Sequence, residues 1–97
     1  MSVTTVTHLH AAPDQGHALA GLLAEGGDRM RIAEGCESFE VLRDEDDPLG
    51  FIFLQRWRSH EAHDAAFAEL ILSTGHLAKV LEAIDQPIVR HAYQLQS

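Results

Sequence analysis

The stretch FIFLQRWR, residues 51–58, restricts the fold more than any other part of the chain. In an extended strand it places Phe51, Phe53 and Trp57 on one face, and Ile52 and Leu54 on the other. A strand whose sheet has one wet face alternates apolar with polar residues. Here both faces of the first half are apolar, so both need cover.

Three other segments have strand character. Residues 3–10 are β-branched at Val3, Thr4, Thr5, Val6 and Thr7, which suits a pleated ladder better than a helix. Residues 37–43 (ESFEVLR) put Phe39 and Val41 on one face and Leu42 on the other. Residues 88–95 follow Pro87 and alternate Val89, His91, Tyr93 and Leu95 against Ile88, Arg90, Ala92 and Gln94.

Between them the periodicity is helical. Pro13 suits a first helical turn, and Asp14 favours the positive end of the helix dipole. Leu19, Leu22, Leu23, Met30 and Ala33 continue the stripe to about Ala33, with Gly35 as a stop and Gly26-Gly27 as a weak point open to a kink. After the third strand, Ser59 is the expected N-cap, with Glu61 in the first turn of a helix reaching about Leu70 or Ile71. Ser73-Thr74-Gly75 breaks that helix, and Thr74 is placed to cap the next. Leu77, Val80, Leu81 and Ile84 make the apolar stripe of the next helix, which Asp85-Gln86-Pro87 ends. The acidic DEDDP at 44–48, with Gly50, reads as a solvated hairpin loop.

The order β-α-β-β-α-α-β is an α+β, ferredoxin-like pattern with a four-stranded antiparallel sheet and a split second helix, filling a single domain over 1–97. Its helices cover one sheet face, and no segment remains for the other. A second copy is the expected cover, giving a homodimer whose sheets pack face to face and close into a dimeric α/β barrel.

Composition narrows the partners. Seven Lys and Arg against fifteen Asp and Glu give a net charge of -8, which disfavours nucleic acid and anionic membranes. No apolar stretch approaches the roughly 20 residues that span a bilayer. The N-terminus lacks the basic start and apolar run of a signal peptide. Cys36 is alone, so no intrachain disulfide or CxxC pair forms, which fits a reducing cytoplasm.

The string HEAH at 60–63 is one residue short of the H-E-x-x-H zinc motif. His60 and His63 are three apart with no third ligand at a characteristic spacing, so the expectation is a capped helix start and no metal. Trp57 has two readings: core packing against the helices, or one wall of a pocket for a planar ligand. His76 at the start of the last helix is either solvent-exposed or a ring that polarises a substrate oxygen. His8 and His10 share a face of the first strand, and His91 shares one with Tyr93; each is either a partly exposed strand histidine or a cavity residue. Cys36 has no recognisable histidine partner, and no P-loop, G-x-S-x-G or G-x-G-x-x-G is present.

The run EGCESFEVLRDEDDPLGFIFLQRWRSHEAHDAAF, followed by STGHL and a terminal strand, resembles the antibiotic biosynthesis monooxygenase family of dimeric α/β barrels. The features that carry it are Gly35-Cys36 before the second strand, the acidic turn, a strand ending in Trp57, S-H-E-A at 59–62, and His76 beside an apolar residue. The resemblance implies a pocket between sheet and helices with Trp57 at its wall. It also implies oxygenase chemistry on an aromatic polyketide-like or quinol-like molecule, without metal, flavin or other cofactor. Trp57 and His76 are then the expected catalytic residues, with Phe53, Phe67, Tyr93, His8 and Arg90 around the ligand. A non-catalytic ligand-binding or structural dimer is the alternative. Haem binding is less expected: the histidine many members carry nine or ten residues after this tryptophan is replaced by Ala66 and Phe67, and residues 3–10 lack the asparagine of the haem-degrading branch.

Overall fold

A computed structural model describes residues 2–96. The strands are β1 (Val3–His10), β2 (Cys36–Arg43), β3 (Gly50–Trp57) and β4 (Val89–Tyr93); the helices are α1 (Gly16–Arg31), α2 (His60–Phe67) and α3 (His76–Ala83). The sheet is antiparallel in the order β2-β3-β1-β4, as the ferredoxin-like pattern requires. It is an open sheet with β2 and β4 at its edges.

Register assigns the two faces. Val3↔Trp57, Thr5↔Gln55, Thr7↔Phe53 and Leu9↔Phe51 pair across β1 and β3 beneath the helices. Val6↔Leu54 and His8↔Ile52 occupy the opposite face, to which β4 adds Val89, His91 and Tyr93. A bulge at the start of β2 keeps both Cys36 and Phe39 in contact with the core. All of β4 is exposed, and Val89, Tyr93 and Leu95 are large apolar or aromatic side chains left uncovered.

The core is divided. One cluster gathers Leu9, Ala11, Leu19, Leu23, Phe51, Val80 and Ala83. The other gathers Val3, Met30, Phe39, Trp57, Ala66 and Ile71 around the wholly buried indole. A cavity lies between them, with wall residues drawn from both.

Several elements differ from expectation. Asp14 adopts φ 69°, and the amide of Gln15 donates to the carbonyl of Ala12 at 2.9 Å. Pro13 therefore sits in a β-turn before the helix, because proline at the second position and a left-handed third residue suit a type II turn. Helix α1 starts at Gly16, with no acidic residue in its first turn. It passes unbroken through Gly26 and Gly27, both buried. A Cβ on Gly26 would stand 3.1 Å from His76 Nε2, and one on Gly27 3.2 Å from the Phe39 ring. These glycines let α1 lie close to α3 and β2, which offsets their poor helix propensity.

Ser59 caps α2, its hydroxyl accepting from the amide of Ala62 at 3.1 Å. The α-helix gives way at Ala68–Leu72 to a π-helical turn, where the amide of Ser73 reaches the carbonyl of Ala68. Thr74 does not cap α3: its hydroxyl bonds back to the carbonyls of Leu70 and Ile71, and Gly75, at φ 75°, takes the N-cap position. The buried face of α3 is His76, Val80 and Ala83, which leaves Leu81 exposed.

Candidate active site

The cavity between sheet and helices has a volume of about 350 Å3, within the range of small-molecule pockets of about 300–1,000 Å3. Phe39, Phe53, Phe67, Met30 and Ile71 supply much of an apolar wall. Phe39 and Phe53 pack with centroids 5.1 Å apart. Asp64 and Arg90 are the exposed residues of the lining, so the cavity meets solvent beside them.

Polar groups are few, and Gln55, His63 and His76 are each oriented by a neighbour. The indole Nε1 of Trp57 donates to Gln55 Oε1 at 2.8 Å. Because an indole nitrogen only donates, this contact fixes the amide orientation and turns its NH2 away from the indole. Gln55 lines the cavity. Across the sheet from it, Thr5 Oγ1 is the one fully buried side-chain polar atom without a partner among the described residues.

His63 is buried between two rings. It meets Trp57 edge-on at 5.5 Å and stacks on Phe67 at 5.8 Å with 13° between planes. Its Nδ1 lies 2.9 Å from Asp64 Oδ1. A carboxylate only accepts, so Nδ1 carries the proton and Nε2 keeps its lone pair in the neutral ring. The hydrogen bond from His63, with a smaller contribution from the charge of Arg90, holds the Asp64 carboxyl below its ordinary value.

His76 is buried and lines the same cavity, but its Nε2 donates to the carbonyl of Leu22 at 2.8 Å. Its Nδ1 stands 4.0 Å from Glu25 Oε2. Both nitrogens thus have their nearest polar partners on α1, and the ring fastens α3 to that helix.

Of the residues expected around a ligand, the fold brings Phe53, Phe67, His76 and Arg90 to one cavity. Trp57 lies behind the wall, fully buried, in contact with the cavity residues Gln55 and His63. His8 and Tyr93 are on the opposite sheet face, since they pair in register with Ile52 and Thr4. His60 is exposed while His63 is buried, so HEAH is split between solvent and core. Gln55 and Asp64 carried no motif in the sequence. The inward alternation of β3, which puts Gln55 beside Phe53 and Trp57, was the available signal for the first.

A second polar cluster lies away from the cavity. His10 Nδ1 contacts Asp85 Oδ1 at 2.8 Å, and its Nε2 contacts Asp47 Oδ2 at 2.9 Å. The bonds to Asp85 and then Asp47 raise the affinity of His10 for its proton. Asp47 is held low by the amide of Leu49 and, less strongly, by His10. The three residues join the end of β1, the β2–β3 loop and the segment after α3.

An open four-stranded sheet with helices over one face and a small, mainly apolar cavity between them defines a ferredoxin-like domain. The sequence pattern described as Antibiotic biosynthesis monooxygenase matches residues 2–71, and the chain belongs to that family. Among solved structures it is similar to Rv0793 from Mycobacterium tuberculosis, with 22% identity and a TM-score of 0.89 over 100% of this chain and 97% of that one. It is similar to PA3566 from Pseudomonas aeruginosa, with 22% identity and a TM-score of 0.87 over 99% and 95% of the two chains. A solved antibiotic biosynthesis monooxygenase aligns at 18% identity and a TM-score of 0.89, over 98% and 99%. No curated protein matches the chain. Ala66 is buried in the core and Phe67 stacks on His63.

No helix among the described residues is long and apolar enough to cross a membrane.

Proposed function

We propose that this protein is a cofactor-independent monooxygenase acting on a small aromatic molecule of the polyketide or quinol type. The cavity carries the reading: an apolar chamber of about 350 Å3 whose few polar side chains stand among aromatic walls. Such a chamber holds a planar ring system, strips it of water and favours its anion wherever a donor is in place. An electron-rich carbanion or phenolate then reduces O2 itself. Phe53 and Phe67 hold the rings, Arg90 stands at the entrance, and His76 maintains the wall.

The working unit is a homodimer in which a second copy covers the outer sheet face. Val6, Ile52 and Leu54 lie centrally on that face, while Val89 and Tyr93 lie on the same face at its β4 edge. An apolar face of this extent is unfavourable in water and is matched best by its own copy across a twofold axis.

Oxygen uptake with anthrones and quinols, measured after metal removal, tests the reaction. The expected outcome is uptake above the uncatalysed rate for at least one compound. A background rate for every compound, with ligand still bound, would make the protein a binder. Light scattering tests the assembly, and a monomer at working concentration would refute it.

A further inference from the structure

His63, Asp64 and Gln55 converge on the cavity with complementary roles. The Nε2 of His63 has no hydrogen-bond partner, yet it is not among the fully enclosed unpartnered atoms, so it retains an accessible surface. The same holds for the amide NH2 of Gln55. Both residues line the cavity and are otherwise almost wholly buried. One offers a lone pair and the other a donor, and each is held by a partner that uses its other polar atom. His76 is engaged differently: its Nε2–H is given to the carbonyl of Leu22, and its Nδ1 stands 4.0 Å from Glu25 on α1.

We infer that His63 is the general base of this site, Gln55 its oxyanion donor and Asp64 a positioning residue; the steps are written for an anthrone, a ketone with an acidic ring-activated methylene. This rests on the monooxygenase reading above and gives it an atomic path. His63 Nε2 takes one methylene proton, and the electron pair left behind spreads onto the ketone oxygen, where the Gln55 NH2 donates to it. The anion passes an electron to O2, and the resulting radicals couple to form a C–O bond. The peroxide anion takes the proton back from His63. His63 then removes the second C–H proton, the O–O bond breaks as the new carbonyl forms, and the departing hydroxide takes that proton as water. In balance, one methylene group and one O2 give one carbonyl group and one water. All four electrons come from the substrate carbon and its two C–H bonds, so no external reductant enters. Asp64 keeps the proton on Nδ1, so that Nε2 is the nitrogen free to act.

Proton abstraction is separable from oxygenation. Under argon in heavy water, the wild-type protein exchanges the methylene protons of anthrone, read by proton NMR. His63→Ala lowers that exchange about 10²–10⁴-fold, and added imidazole restores part of it. Gln55→Glu keeps an acceptor for the indole but removes the amide donor, and lowers exchange about 10²–10³-fold. If His63→Ala does not fold, His63→Phe keeps a ring stacked on Phe67 and must lose exchange equally. Asp64→Asn slows exchange and is not rescued by imidazole. Wild-type protein that exchanges nothing overturns the inference, as does a folded His63→Ala that exchanges at the wild-type rate or is untouched by imidazole. Exchange without O2 uptake retains the base and overturns the oxygenase reading. Uptake unaffected by loss of His63 does the reverse.

Discussion

The indole Nε1 of Trp57 and Oε1 of Gln55 are joined by a buried hydrogen bond of 2.8 Å, two residues apart on the same face of β3. This contact places the largest fully buried side chain of the core directly behind a polar group of the cavity. It makes Trp57 a support of the site although the ring never reaches the cavity surface.

Trp57→Phe removes the donor and leaves Gln55 Oε1 unpaired. The loss of a partner for a buried polar atom costs about 1–3 kcal/mol, and the smaller ring adds a cavity cost. Gln55→Leu strands the indole N–H instead and is destabilising for the same reason. The double variant is expected to lose less than the sum of the two single losses, measured by urea unfolding.

The contrast between Gly21 and Gly26 gives a second expectation. Nothing lies within 4 Å of a Cβ built on Gly21, so Gly21→Ala gains helix propensity of about 0.8–1 kcal/mol. Gly26→Ala gains the same propensity but presses on the His76 ring, whose Nε2 would stand 3.1 Å from the added Cβ. Overpacking of this kind costs about 1–3 kcal/mol, so the net change is a loss. Urea midpoints that rise for the first variant and fall for the second are the expected result.

Removing the cap at Ser59 should be felt in α2, the helix that carries His63 and Asp64. Ser59→Ala lowers stability by about 1 kcal/mol, because the amide of Ala62 loses its acceptor. Thr74→Ala has no N-cap bond to lose. Its effect comes instead from its contacts with Arg29, Leu70 and Ile71, and chemical denaturation separates the two variants by magnitude.

The His10 cluster makes stability depend on pH. Folded His10 holds its proton more tightly than the ordinary value of 6.5, so its contribution is complete below about pH 6.5 and fades as pH rises through the higher folded value. Asp47 is shifted the other way from 3.8, so its contribution is present above that pH and is lost as pH falls through the lower folded value. The clamp is therefore strongest in mildly acidic solution. His10→Gln should narrow the difference in urea midpoint between about pH 6 and pH 8.5.

On the proposed dimer, Leu54→Arg places a charge at the centre of the outer sheet face. Light scattering is expected to report a monomer for this variant and a dimer for the unaltered chain. A Leu81→Arg control, on an exposed helical position, should leave the assembly intact.

Much of this fold is legible in one dimension. Alternation in residues 51–58, the β-branched run of β1 and the stripes on the helices set the element order and the sheet faces, since strand and helix periods are local properties of the chain. The same alternation already separates Phe53 from Ile52 and Leu54. Tertiary packing decided the rest. The burial of His76 depends on how α1 meets α3, and Thr74 yields its capping role to Gly75 by bonding back to Leu70 and Ile71. Above all, the site is a meeting of distant elements. Gln55 becomes an oriented donor because Trp57 occupies its oxygen, and His63 acquires its burial from rings on β3 and α2. The sequence by itself determined which residues face inward. Only the tertiary structure decided which inward polar atoms are already satisfied and which remain free, because hydrogen-bond satisfaction depends on the distances and directions that packing sets.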